Sequence, residues 1–99
     1  MTEITASSVF RRSDEVVCRQ VGAESILVPI RQNVGNLDFV YTLSPVAARI
    51  WALIDGKRTV GDVVGMIVDE YDVPRETAVA DAQQLLTDLA GVSLVTQLS

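Results

Sequence analysis

Residues 39–64 read FVYTLSPVAARIWALIDGKRTVGDVV, and the way this stretch folds decides the architecture of the 99-residue chain. Phe39, Tyr41 and Leu43 alternate with Val40 and Thr42, the two-residue period of a half-buried strand. Ser44-Pro45 then supplies a hydroxyl N-cap followed by proline at the first helical position, a strong helix start. From there Val46, Ala47, Ile50, Trp51 and Ile54 fall on one stripe, which predicts an amphipathic helix ending at Gly56. Thr59, with Asp62 three residues on, has the form of a capping box, and Val60, Val63, Val64, Ile67, Val68 and Tyr71 repeat at helical spacing. A strand, a helix, a tight Asp55-Gly56 turn and a second helix follow one another without a linker.

Working outward, EVVCRQV (15–21) and SILVPI (25–30) are β-branched runs joined by a short glycine-containing connection, a hairpin signature. The polar loop RQNVGNLD separates that hairpin from the third strand. On the other side, Pro74 opens a third helix with Val79, Ala82, Leu86 and Leu89 on its apolar side, closed by Gly91. Val92, Leu94 and Val95 are expected to fold back onto the core. Residues 1–8 read as a flexible polar tail and residues 9–99 as one domain. The predicted class is α+β and winged-helix-like, a three-stranded antiparallel sheet packed on three helices.

Composition bounds the function. Hydrophobic residues make up 48% of the chain and aromatics 5%, so the core is aliphatic. Cys18 is the single cysteine and histidine is absent, which rules out an internal disulfide and leaves the usual zinc sets and a Cys–His nucleophile unavailable. No cofactor and no metal site are expected. No apolar run reaches the roughly 18–20 residues that span a bilayer, and MTEITASS lacks signal-peptide character, so a cytoplasmic chain with no membrane partner is expected.

Charge decides against the first idea that two helices and a tight turn raise. Up to Ile54 five basic residues balance five acidic ones; from Asp55 onward three basic residues face eight acidic ones, which is the whole net charge of −5. The third helix carries Glu76, Asp81 and Asp88 against Arg75 alone. A DNA reader needs Lys and Arg against phosphate, and a helix of this sign is repelled. Ser93 in GVSLV lacks the Asp-Ser helix start of an acyl-carrier attachment serine.

In their order and spacing, Ile26-Leu27-Val28, Tyr41-Thr42-Leu43-Ser44, the run Ala48 to Val60 with WALIDGKRTV, Glu70-Tyr71-Asp72-Val73, Asp81 with Leu85-Leu86, and Leu94-Val95 resemble the PqqD family. These are the peptide chaperones of pyrroloquinoline quinone biosynthesis, whose fold is also called the RiPP recognition element. The resemblance runs from about Val16 to Val95. It implies a noncatalytic domain that binds the leader segment of a ribosomally made precursor peptide. The domain then presents that peptide to a modifying enzyme, often a radical S-adenosylmethionine enzyme. The long RQNVGNLD loop points to a peptide system other than pyrroloquinoline quinone.

The residues suggest the same mechanism independently. A strand over residues 37–43 at a sheet edge offers unpaired N–H and C=O groups that an extended peptide completes. Leu37, Asp38, Phe39, Val40, Tyr41 and Thr42 are the expected strand side of the site. Ala78, Ala82 and Leu85 form the expected helix side, with Arg75 and Asp81 at the rim. Two readings of the Ala78, Ala82 and Leu85 face stand at this point, lining a groove or completing the core. The same edge can equally pair with a second copy, so a monomer and a weak or strand-swapped dimer are both open. Two further alternatives are a DNA-binding regulator and a structural subunit of an enzyme complex.

Overall fold

A computed structural model describes residues 4–29 and 41–98. The elements run β1 (Phe10–Arg12), β2 (Val16–Val21), β3 (Glu24–Pro29), β4 (Tyr41–Leu43), α1 (Pro45–Leu53), α2 (Val60–Tyr71), α3 (Arg75–Gly91) and β5 (Val95–Gln97). Strands β2, β3 and β4 form an antiparallel sheet in that order, as the alternating patterns predict. The register pairs Val16 with Pro29 and Val21 with Glu24 across the hairpin, then Leu27 with Tyr41 and Ser25 with Leu43. Leu27 and Leu43 therefore point to the same face, and both are buried. Burial along β2 ends at Val16; the hairpin runs out beyond the helices into solvent.

The helix starts follow the local chemistry. Ser44 Oγ accepts the Ala47 amide at the N-cap of α1, and Thr59 and Asp62 close a reciprocal capping box on α2. Asp72 ends α2 at φ 51°, a left-handed conformation that a short polar side chain tolerates, and Pro74 then sets the N-cap of α3. The core lies between sheet and helices around Leu27, Ile50, Val64, Ile67 and Leu89, with Trp51 as the large anchor of α1. An Arg49–Glu70 pair, 2.8 Å and 3.1 Å in two-pronged geometry, ties α1 to α2 at the surface. Among the described residues no helix is long and apolar enough to cross a membrane.

Two features depart from the expectations. The first is a second, two-stranded sheet in which β1 pairs antiparallel with β5, Phe10 opposite Gln97 and Arg12 opposite Val95. The fold-back of Leu94 and Val95 is as expected, but it is completed by a strand from the other end of the chain. The second is the N-terminal segment. Of the expected tail, residues 4–8 are docked on α2: the Gly61 amide donates to the Ala6 carbonyl at 2.9 Å, and the Val60 amide to the Ser8 carbonyl at 2.8 Å. These are the orphan donors of the first helical turn, and a backbone segment satisfies them where no side chain does. Ser8 is itself buried.

Candidate functional site

A groove of about 360 Å³ opens along β4, and its walls come from three elements. β4 contributes Tyr41, Thr42 and Leu43; the start of α1 contributes Ser44, Val46, Ala47 and Ile50; α3 contributes Asp81, Gln84, Leu85 and Asp88. The α3 residues are spaced i, i+3, i+4, i+7, which is one edge of a helix. Among the described residues β4 pairs with β3 and is the outer strand of its sheet. Beside it α3 stands off rather than packing closely, since α3 makes its backbone contacts with α2, β5 and α1. The outcome is an outer strand facing a helix across a slot with an apolar floor of Leu43, Ile50 and Leu85.

The rim of the slot is polar and negative. Asp81 and Asp88 are exposed, and Gln84 Nε2 donates to Asp88 Oδ1 at 2.9 Å. The Tyr41 phenol on the strand lies near the Asp88 carboxylate on the helix, so the two walls interact across the groove. Partial burial raises the Tyr41 phenol above its ordinary value, and the neighbouring Asp88 charge and hydrogen bond push it further the same way. Among the described residues that line it, none is Lys or Arg.

Of the residues expected at the site, Tyr41, Thr42, Asp81 and Leu85 come together in the groove. Leu37, Asp38, Phe39 and Val40 lie outside the described residues. Ala78 and Ala82 do not line the slot: they are 2% and 1% exposed and belong to the core, Ala82 packing by Phe10, Ile50 and Leu86. Their small side chains let α3 approach α1 and α2, while the groove keeps its width at the Asp81–Leu85 edge. Arg75 is exposed at the start of α3, away from the groove lining. Leu43 and Ser44, the α1 residues Val46, Ala47 and Ile50, and Gln84 and Asp88 on α3 line the groove without having been expected at the site. The helical spacing Asp81, Leu85, Asp88 contained the signal for the last of these.

A wider concavity of about 650 Å³ lies where Arg11, Asp14, Asp55 and Leu98 meet. Three of its charges are engaged, Arg11 with Asp14 at 3.3 Å and Asp55 with Arg58 at 3.0 Å. Its lining is mostly polar, with Val16, Ile54 and Leu98 as the apolar residues.

With this geometry in view, the family model for coenzyme PQQ synthesis protein D (PqqD) matches residues 24–95. The chain belongs to the PqqD family. The matched span takes in β3, β4 and all three helices, and so both walls of the groove. A PqqA binding protein of Gluconobacter oxydans (strain 621H) is 35% identical over 49 residues, covering 50% of this chain and 51% of the relative. The chain thus spans about half the length of that curated relative.

Two solved structures share the fold. TbiB1 in complex with the TbiA(beta) leader peptide is 28% identical, superposes with a TM-score of 0.67, and covers 86% of this chain and 93% of its own. A lasso peptide synthetase B1 complexed with its leader peptide is 24% identical, with a TM-score of 0.69 over 88% of this chain and 96% of its own. Both superpose over most of this chain and so share its fold.

Proposed function

We propose that this chain is a peptide-binding element that takes the leader segment of a ribosomally made precursor as an added strand on β4 and presents it to a modifying enzyme. The observation that carries this reading is the outer strand β4 facing α3 across a slot with an apolar floor. Main-chain hydrogen bonds to the edge would supply affinity, and side chains entering the slot would supply specificity. The leader-peptide complexes of TbiB1 and of the lasso synthetase, and the PqqA binding relative, support the same reading.

On this reading the domain is noncatalytic and cytoplasmic, and the chemistry belongs to the partner, a radical S-adenosylmethionine enzyme or another peptide-modifying enzyme. Arg75 serves the outer rim.

Candidate leader peptides titrated into the labelled chain test it. Amide shifts are expected at residues 41–43 and 81–88, with a micromolar or somewhat tighter Kd, because one added strand buries a modest area. A proline placed where the peptide donates to β4 should weaken binding. Absence of shifts with every candidate, or shifts confined to the Arg11–Asp14 concavity, would remove the proposal. Copurification with an enzyme but no peptide binding would favour a purely structural subunit.

A further inference from the structure

The groove has a charge pattern that constrains what enters it. Asp88 accepts a hydrogen bond from Gln84, a neutral donor that orients its carboxylate at the slot without cancelling its charge. Asp81 stands on the same edge of α3, seven residues earlier, and among the described residues no basic side chain pairs with either carboxylate. Leu85 lies between them and forms part of the floor.

The opposite wall offers no countercharge. At the start of α1, where a helix would favour an anion, Pro45 has no N–H and the amides of Ala47 and Ala48 are already taken by Ser44, at 3.1 Å and 2.8 Å. An acidic occupant would meet two carboxylates and, among the described lining residues, no lysine or arginine.

We infer that the extended peptide taken by this groove is cationic, with the local pattern basic-x-apolar-x-basic, the basic side chains meeting Asp81 and Asp88 and the apolar one covering Leu85. The spacing follows from two rises. Seven helical residues advance about 10 Å, a length an extended chain covers in about three residues. Side chains on one side of a strand recur every second residue, so a spacing of four is the nearest arrangement that also leaves an apolar residue between the charges. The reach of Lys or Arg absorbs the difference. This inference rests on the reading of the groove as the peptide site and adds the class of peptide it selects.

The test is selection of peptides from a random display library on the full chain and on an Asp81→Asn/Asp88→Asn double variant, which keeps the shape of both side chains. Wild-type selection should enrich paired Lys or Arg at a spacing of four and deplete Asp and Glu. The double variant should select the apolar position without the pair. A wild-type-selected peptide should bind the double variant about three- to thirtyfold more weakly, as expected for two partly exposed ion pairs. Its affinity for wild type should fall with added salt and be nearly flat for the variant.

Peptides that shift the β4 amides but lack the basic pair, or whose affinity survives the double substitution, would overturn the inference while leaving the groove as a peptide site. Recovery of no β4-binding peptide at all would overturn both.

Discussion

At the scale of single residues, the two glycines of α2 look alike in sequence and differ in what surrounds them. A side chain added at Gly61 would sit 3.2 Å from the Ala6 carbonyl, in the gap through which the N-terminal segment reaches the helix. One added at Gly65 meets nothing within 4 Å. Gly65→Ala is therefore expected to stabilise the protein by roughly 0.5–1 kcal/mol, the helix preference of alanine over glycine. Gly61→Ala should gain less or lose stability, because it displaces residues 4–8. Chemical denaturation of the two variants separates the cases. Leu89 is 0% exposed, so Leu89→Ala should cost about 2–5 kcal/mol by the same measurement.

Tyr41 provides a residue-scale test in pH. Its phenol is held neutral by partial burial first and by Asp88 second, so its folded value lies above the unfolded one. The contribution to stability is present at neutral pH and is lost as pH rises through the raised value. Spectroscopic titration should place Tyr41 above the ordinary tyrosine value, and Asp88→Asn should lower its midpoint. An unmoved midpoint would mean that the strand-to-helix interaction contributes nothing.

At the scale of elements, the corner between α1 and α2 is built by carboxylates. Asp55 Oδ1 accepts the amides of Lys57 and Arg58 at 2.9 Å and 2.8 Å, and those bonds draw its carboxyl below the ordinary range. Gly56 takes φ 79°, a conformation that suits glycine. Glu70 is lowered likewise by its hydrogen bonds to Arg49. Groups whose folded values are depressed stabilise the protein above their unfolded values and lose that contribution as pH falls through the folded ones. Acid titration should therefore loosen the α1–α2 corner, and Asp55→Asn with Glu70→Gln should flatten the acid limb of stability against pH. The capping box offers a neutral comparison: Thr59→Ala should cost roughly 1 kcal/mol at any of these pH values.

At the scale of the whole molecule, both chain ends close the same side of the fold. β1 pairs with β5, the Leu98 amide donates to the Val9 carbonyl at 2.7 Å, and the Gly56 amide to the Phe10 carbonyl at 2.9 Å. The ends thus clamp the α1–α2 corner. Removing residues 1–8 should lower the melting temperature and speed hydrogen exchange at Val60 and Gly61, with peptide affinity at β4 little changed. A free tail would leave both untouched.

The helices, their N-caps on α1 and α2, the hairpin and the outer position of the third strand were legible in the sequence, because each rests on neighbours a few residues apart: Ser44 with Ala47, Thr59 with Asp62, the short glycine-containing connection between β2 and β3. The acidity of α3, and with it the argument against DNA, needed only the residue types. Three things were decided by tertiary structure alone. The β1–β5 sheet joins Phe10 to Gln97, and nothing in three residues announces a partner at the far end of the chain. Residues 4–8 look polar and loose until α2 presents amides that lack acceptors. Whether the small residues of α3 face core or groove depends on how the helix is rotated: packing against α1 and α2 takes Ala78 and Ala82 inward and leaves Asp81, Leu85 and Asp88 along the slot. Local hydrogen bonding writes the elements into the sequence, whereas the rotation of one packed helix against another is set by side chains distant in the chain and is settled only when they meet.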